Sequence, residues 1–274
     1  MTQEERYLFD LHGYLVLRGV LSSDIHRRLN ETIDYLETLN DNQTAALGAE
    51  RKYRASDNVY AQTGVPSEGG LGDYDCQVLC YGGPFEELID LPQTLQYIEE
   101  MIGEPARLDA ASFMSRNSGG AFRFHHGYAE LLPYSEYAFR DGAFKCVSVK
   151  IGYALTDVDV EDGCFAVIPG SHKSNFTNPL VGQIPDPTHP LVQPLPCKAG
   201  DAIIFSEDLS HGAVENHRSK VRRTLFYSYA PAFHCTWHGL AMTAEGFEQR
   251  ATPRRLELIQ GPAPFAHASE ADVR

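Results

Sequence analysis

The sequence predicts a mainly β fold with helices at its N-terminus. Three observations lead there. After Pro105, short runs rich in Val, Ile, Phe and Tyr alternate with clusters of Gly, Pro, Asn, Asp and Ser, the texture of a sandwich or barrel. Before Pro105, apolar residues recur at helical spacing. The chain has 274 residues, 43% of them apolar and 11% aromatic, enough to bury a sizeable core in one large domain.

In chain order, residues 13–20 alternate loosely and read as a short strand. Ser22 or Ser23 then caps a helix on which Ile25, Leu29, Ile33 and Leu36 form an apolar stripe. Residues 41–48 read as a loop, and residues 49–83, with a Gly-rich run at 69–73, carry no clear period. A second helix is expected over about 84–102 from Leu88, Ile89, Leu95, Ile98 and Met101, stopped at Gly103-Glu104-Pro105. Strands are expected at 106–114, 121–126, 145–155, 164–168, 201–206 and 222–230. Residues 179–199 hold six prolines and read as a long ordered loop, and residues 261–274 as a loose tail. No repeat or linker divides the chain. It reads as a single domain over 1–274: a helical part (1–105), a β-rich core (106–235) and a C-terminal extension (236–274).

Lys and Arg number 23 against 37 Asp and Glu, a formal net charge of −14. Nucleic acid is therefore not an expected partner, since a polyphosphate needs a cationic face. A small anion held by one or two local arginines remains compatible with this charge. Acidic residues stand where a signal peptide carries basic ones, and no run reaches the ~18 apolar residues of a membrane span. No membrane association and a cytoplasmic location are the expectations. Six scattered cysteines without a C-x-x-C pair argue against a zinc ribbon or a disulfide framework and read as core residues or quiet thiols. Oligomeric state is not encoded in any recognisable pattern.

Three groups of residues have the types and positions needed for chemistry. Phe124-His125-His126-Gly127 ends a strand, so alternation sends one imidazole inward, a good place for a metal ligand. Gly200-Asp201 launches a second strand, and His211-Gly212 follows it, again a histidine at a strand end. The third group is the run 222–230. It alternates so that Arg222, Thr224, Phe226 and Ser228 share one face, while Arg223, Leu225, Tyr227 and Tyr229 share the other. If the first face lines a barrel, it holds a buried arginine beside hydroxyls, a setting for a bidentate grip on a carboxylate. Each group also has a plain reading: half-exposed histidines, a hydrogen-bonded loop histidine, and surface arginines on an edge strand. Together they suggest two histidines on a non-haem iron that keeps open positions.

Read in order, these segments resemble the phytanoyl-CoA dioxygenase family of iron(II)/2-oxoglutarate oxygenases. Residues 13–22 resemble the family's first strand and helix start, and His125-His126-Gly127 falls at its His-x-Asp motif. Asp162-Gly163 through Pro169-Gly170-Ser171-His172-Lys173 resembles its Asn/Asp-Gly…Pro-Gly-Ser-His-Lys segment. Gly200-Asp201…His211-Gly212…Asn216 resembles its distal ligand segment, and Arg222 follows His211 at the family's eleven-residue spacing. The resemblance implies a double-stranded β-helix, the cupin-like jelly roll, with helices packed outside. It implies Fe(II) on His125 and His211, 2-oxoglutarate as cosubstrate with its far carboxylate on Arg222 beside Thr224, O2 as co-reactant, and a small-molecule substrate. His172 lies in a segment that is structural in the family.

One position departs from the pattern: Gly127 stands where the family has an aspartate. Three readings follow. A chloride fills the vacated position, as in the iron/2-oxoglutarate halogenases, where Gly or Ala replaces the acid. Alternatively, water or another carboxylate (Glu130, Glu207 or Asp208) completes the site and the enzyme hydroxylates; a register with His126 as ligand belongs to this reading. Or the fold serves as a non-catalytic binding module. A zinc or manganese cupin is a further class, but it leaves Arg222 without a role. The aromatic run at 128–144 is expected either to cover the mouth of the barrel or to pack on itself. The acidic surface does not suit a coenzyme A thioester.

Overall fold

The computed structural model describes residues 1–46, 61–62, 74–75, 78–126, 137–234 and 243–261. The first helix, α1 (Gln3–His12), is set by a capping box: the Thr2 hydroxyl accepts from the Glu5 amide and the Glu5 carboxylate from the Thr2 amide. It ends on Gly13 at φ +84°, where an added Cβ would lie 2.5 Å from His172 Nδ1. Strand β1 (Tyr14–Leu17) follows, then α2 (Ser23–Glu37), capped by Ser22 as expected. The segment expected as a loop at 41–48 instead begins with a helical turn and a half, α3 (Asp41–Ala46). Asn40 and Gln43 explain it, since each side chain accepts from the other's amide, a second reciprocal cap.

Two short strands, β2 (Ala61–Gln62) and β3 (Tyr74–Asp75), come next. The single helix expected over 84–102 is two, α4 (Pro84–Glu87) and α5 (Pro92–Ile102). Pro92 has no amide hydrogen to continue the first helix and pushes Leu91 into an extended conformation, so the chain restarts with proline at its first turn.

The strands that build the site are β4 (Ala106–Arg116), β5 (Ala121–His125), the hairpin β6 (Phe139–Arg140) and β7 (Ala143–Phe144), β8 (Val149–Ala154), β9 (Phe165–Val167), β10 (Gln193–Leu195), β11 (Ala202–Ser206), β12 (His211–Ala213) and β13 (Arg222–Pro231). The proline-rich stretch at 179–199 is therefore not wholly a loop: β10 pairs with β9 inside it. The strand expected over 145–155 is confined to β8. Helices α6 (Phe247–Arg250) and α7 (Pro253–Ile259) close the described chain; the expected tail from 262 onward lies outside the described residues.

The strands form a six-stranded sheet, β1-β11-β8-β13-β4-β3, and a five-stranded sheet, β10-β9-β12-β5-β2, antiparallel throughout. Phe165, Val167 and Leu195 of the second sheet pack with Ala154, Ile203, Phe205 and Phe226 of the first, so the two sheets face each other across an apolar interior. This is a jelly-roll double-stranded β-helix. The back of the large sheet carries Ile151, Tyr153, Leu225, Tyr227 and Tyr229 into a second core with Leu29, Ile33 and Leu36 of α2 and Leu95, Ile98 and Met101 of α5. Strand β1 sits on the edge of the large sheet against β11, which ties the helical N-terminal part into the barrel. Among the described residues, no helix is long and apolar enough to cross a membrane.

Candidate metal centre

The register of the five-stranded sheet sets His211 of β12 directly opposite His125 of β5, with ring centroids 4.1 Å apart. Both side chains rise from strand ends on the same face. His126, one residue past the strand, is not part of this pair. The Nδ1–H of His125 donates to the Arg123 carbonyl at 3.0 Å, and that of His211 to the Leu209 carbonyl at 2.7 Å. A carbonyl can only accept, so each Nδ1 carries the proton and each Nε2 presents a lone pair. Desolvation pushes His125 down to about 4 and His211 well below its ordinary value, which keeps both rings neutral near pH 7. Phe205 and Phe165 lie against His211 at 4.8 and 5.6 Å and hold its ring in place.

Glu207, just past β11, joins them. One ring nitrogen of each histidine and one carboxylate oxygen of Glu207 all lie within 4.8 Å of one another. Glu207 is 7% exposed, its Oε1 accepts from Lys150 Nζ at 2.8 Å, and its buried Oε2 has no hydrogen-bond partner among the described residues. Two neutral imidazoles presenting Nε2 and a carboxylate with a spare oxygen are a donor set suited to a divalent transition metal. Of the other acids near the histidines, Asp208 turns back onto Ser206, at 3.5 Å; Glu130 and Gly127 lie outside the described residues. His172 is elsewhere, its Nε2 donating to the Asp10 carbonyl and its ring against Tyr137.

Arg222 is 5% exposed and points into the barrel from β13. Its Nη1 donates to the Gly163 carbonyl at 2.7 Å and its Nε to the Thr224 hydroxyl at 3.2 Å. Gly163 suits this contact: at φ +77° with Val214 O 2.9 Å from where a Cβ would sit, only glycine brings its carbonyl there. Burial lowers the Arg222 guanidinium, and among the described residues no carboxylate pairs with it. Arg222 and Thr224 border a small pocket walled by Phe165, Leu195, Ile203 and Phe226. Phe165 is shared between this cavity and the ring of His211, so the cavity adjoins the metal centre. Arg223 turns outward to Asp34 and Glu37 of α2, both at 2.7 Å.

The aromatic run 128–144 divides. Its first part lies outside the described residues. Tyr137 and Phe144 pack on Phe9 of α1, and Phe144 also packs on Tyr137 and Phe139, so among the described residues this run packs on itself and braces the N-terminal helix. Lys150 escaped the sequence reading, although it is a lone cation in the apolar strand VKIGYA, a pattern that calls for a buried partner.

Two facing sheets, paired histidines at strand ends and a buried arginine without a counter-charge among the described residues define a cupin-like jelly roll with a metal-type pocket. The chain belongs to the phytanoyl-CoA dioxygenase (PhyH) family, whose profile matches residues 9–224. That is a family of non-haem iron, 2-oxoglutarate-dependent dioxygenases. The dioxygenase trt7 of Aspergillus terreus is 33% identical over 152 residues, 56% of this chain and 50% of that protein. The chain spans about half the length of the fungal relatives it matches. Among solved structures, HygX from Streptomyces hygroscopicus with nickel, 2-oxoglutarate and hygromycin B bound is 21% identical, covers 92% of this chain and 95% of its own, and superposes with a TM-score of 0.67. The carbocyclase SnoK from nogalamycin biosynthesis is 16% identical with a TM-score of 0.60, covering 97% and 93%. At these identities the likeness is one of fold.

Proposed function

We propose that the protein uses Fe(II) and 2-oxoglutarate to hydroxylate an unactivated C–H bond of a small metabolite. The observation that carries this reading is Arg222: a buried guanidinium without a carboxylate partner among the described residues, at the edge of a cavity that adjoins two metal-ready histidines. A buried charge left unpaired is costly, and an incoming carboxylate relieves the cost. A dicarboxylic acid such as 2-oxoglutarate would meet that need, with one end on Arg222 and Thr224 and the other toward His125 and His211. Arginine's planar fork grips a carboxylate through two parallel hydrogen bonds, and the Thr224 hydroxyl keeps the fork from rotating.

Iron held by His125 and His211 would supply oxygen activation coupled to conversion of 2-oxoglutarate to succinate and CO2, one oxygen atom of O2 going to succinate and the other into the substrate C–H bond. The chain's own part is to present two Nε2 lone pairs, to anchor the cosubstrate, and to keep water out with Phe165, Leu195, Ile203 and Phe226. A small metabolite is the substrate class most in keeping with HygX, solved with hygromycin B. Gly127 favours a second reading, chloride-dependent halogenation, since glycine brings no carboxylate to that position.

Calorimetric titration of 2-oxoglutarate into anaerobic, Mn(II)-loaded protein tests the reading. One molecule is expected to bind per chain, only with metal present, and Arg222→Gln is expected to weaken binding ~10–100-fold, the worth of a charged hydrogen-bonded pair. No metal-dependent binding to the wild-type protein would overturn it.

A further inference from the structure

Resting on that reading, we propose that Glu207 supplies the carboxylate ligand of the metal, replacing the acid that position 127 lacks, and that Lys150 positions it. Glu207 opens the four-residue turn that carries the chain from β11 of the large sheet to His211 at the start of β12 in the facing sheet, and His125 lies opposite His211 on β5. The turn thus brings the carboxylate to the pair of imidazoles. In an octahedral set with bonds of about 2.1 Å, neighbouring ligand atoms lie roughly 3 Å apart. The three donor atoms here lie within 4.8 Å of one another, so they close on an ion by side-chain rotation.

The state of the carboxylate supports the assignment. It is buried, and Lys150 occupies only Oε1, at 2.8 Å. Oε2 is buried without a hydrogen-bond partner among the described residues, a condition that normally destabilises a fold. A metal ion is the acceptor of lone pairs such an oxygen lacks. The Lys150 bond fixes which way the carboxylate faces, the task that partners of ligating carboxylates perform in metal sites. The competing account is a plain ion pair on the rim of the barrel. That account explains Oε1 and leaves Oε2 and the closeness of a ring nitrogen of each histidine unexplained.

One consequence distinguishes the two reaction outcomes. With Glu207 in the third protein position, no vacancy needs a halide, and the metal's remaining positions go to cosubstrate and oxygen.

The test is anaerobic Mn(II) titration by electron paramagnetic resonance, together with the absorption spectrum of the Co(II)-loaded protein. Glu207→Gln is expected to loosen Mn(II) by roughly 100-fold or more, because even partners of ligands are worth 10–100-fold. Lys150→Met breaks the same ion pair but keeps the carboxylate, and is expected to cost clearly less. Equal losses in the two variants would mean that the ion pair alone matters and would overturn the assignment, as would Mn(II) affinity in folded Glu207→Gln within threefold of wild type. Saturating chloride is expected to leave the wild-type Co(II) spectrum unmoved; a chloride-dependent shift there would overturn the proposal without any variant. If wild-type protein binds no divalent metal, the iron reading itself fails, a result separate from loss of the Glu207 assignment alone.

Discussion

His125 and His211 are ready for a metal because each gives its Nδ1 proton to a carbonyl two residues back in its own chain. Their partners are backbone atoms, which no point substitution removes. His172 is also buried and held down to about 4 by desolvation, while its ordinary value is 6.5. The unfolded chain therefore binds more protons than the folded one between these values, and stability falls as pH drops from about 6.5 toward 4. His172→Gln is expected to flatten that slope in apo-protein melts, leaving the part due to His125 and His211; an unchanged slope would show that His172 titrates normally. At Arg222, lysine is not equivalent, because a point charge cannot reproduce the fork held by Gly163 and Thr224. Arg222→Lys is expected to lose most of the 2-oxoglutarate affinity, measured by the same calorimetry. The histidines and Arg222 stood out in the sequence because strand ends and alternation are one-dimensional patterns. Glu207 was legible as one of three acids near the histidines, only four residues before His211; which of the three the fold turns toward them was not, since that depends on the path of the turn after β11. Lys150 carries only the weak signal of a charge among apolar neighbours.

Strand β13 joins chemistry to stability through its two faces. Arg222, Thr224 and Phe226 line the cavity, while Tyr227 and Tyr229 on the reverse send their hydroxyls to the Phe85 carbonyl at 2.6 Å and the Ile89 carbonyl at 2.9 Å. These bonds pin the α4–α5 region to the back of the sheet. Tyr227→Phe removes the shorter of the two hydrogen bonds to the Phe85 carbonyl, leaving the one from the Leu88 amide at 3.4 Å, and is expected to cost about 0.5–1.5 kcal/mol in denaturant melts. Metal affinity is expected to stay unchanged, because the opposite face is untouched; a parallel loss of metal binding would show that the two faces are coupled. The two-faced pattern of β13 was plain from alternation. The break at Pro92 was legible as a proline but was passed over because apolar spacing continues on both sides of it. Strands β9, β10 and β12 have three residues each, too short for any period, and exist because they pair with one another and, through β12, with β5.

At the scale of the whole molecule, the metal centre is a seam. In the proposed site two donors come from the small sheet and Glu207 from the turn that leads out of the large one, so an ion bound there would bridge the two halves of the barrel. Ligand that binds only the folded state stabilises it by about 2.7 kcal/mol at a hundred times its dissociation constant. Mn(II) is therefore expected to raise the melting temperature of wild-type protein and to leave that of His211→Ala unmoved; equal shifts in both would place the ion elsewhere. The jelly roll itself was legible from strand spacing and from the ordered family motifs, whereas the covering of the large sheet by α1, α2 and α5 was foreshadowed only by the α2 and α5 stripes. The most direct measurement is anaerobic visible absorption on adding 2-oxoglutarate to the Fe(II)-loaded protein. A charge-transfer band that requires both components, and that is absent in His211→Ala, is the expected result. No band in the folded, iron-loaded wild-type protein would contradict chelation of 2-oxoglutarate at this centre and, with it, the oxygenase reading.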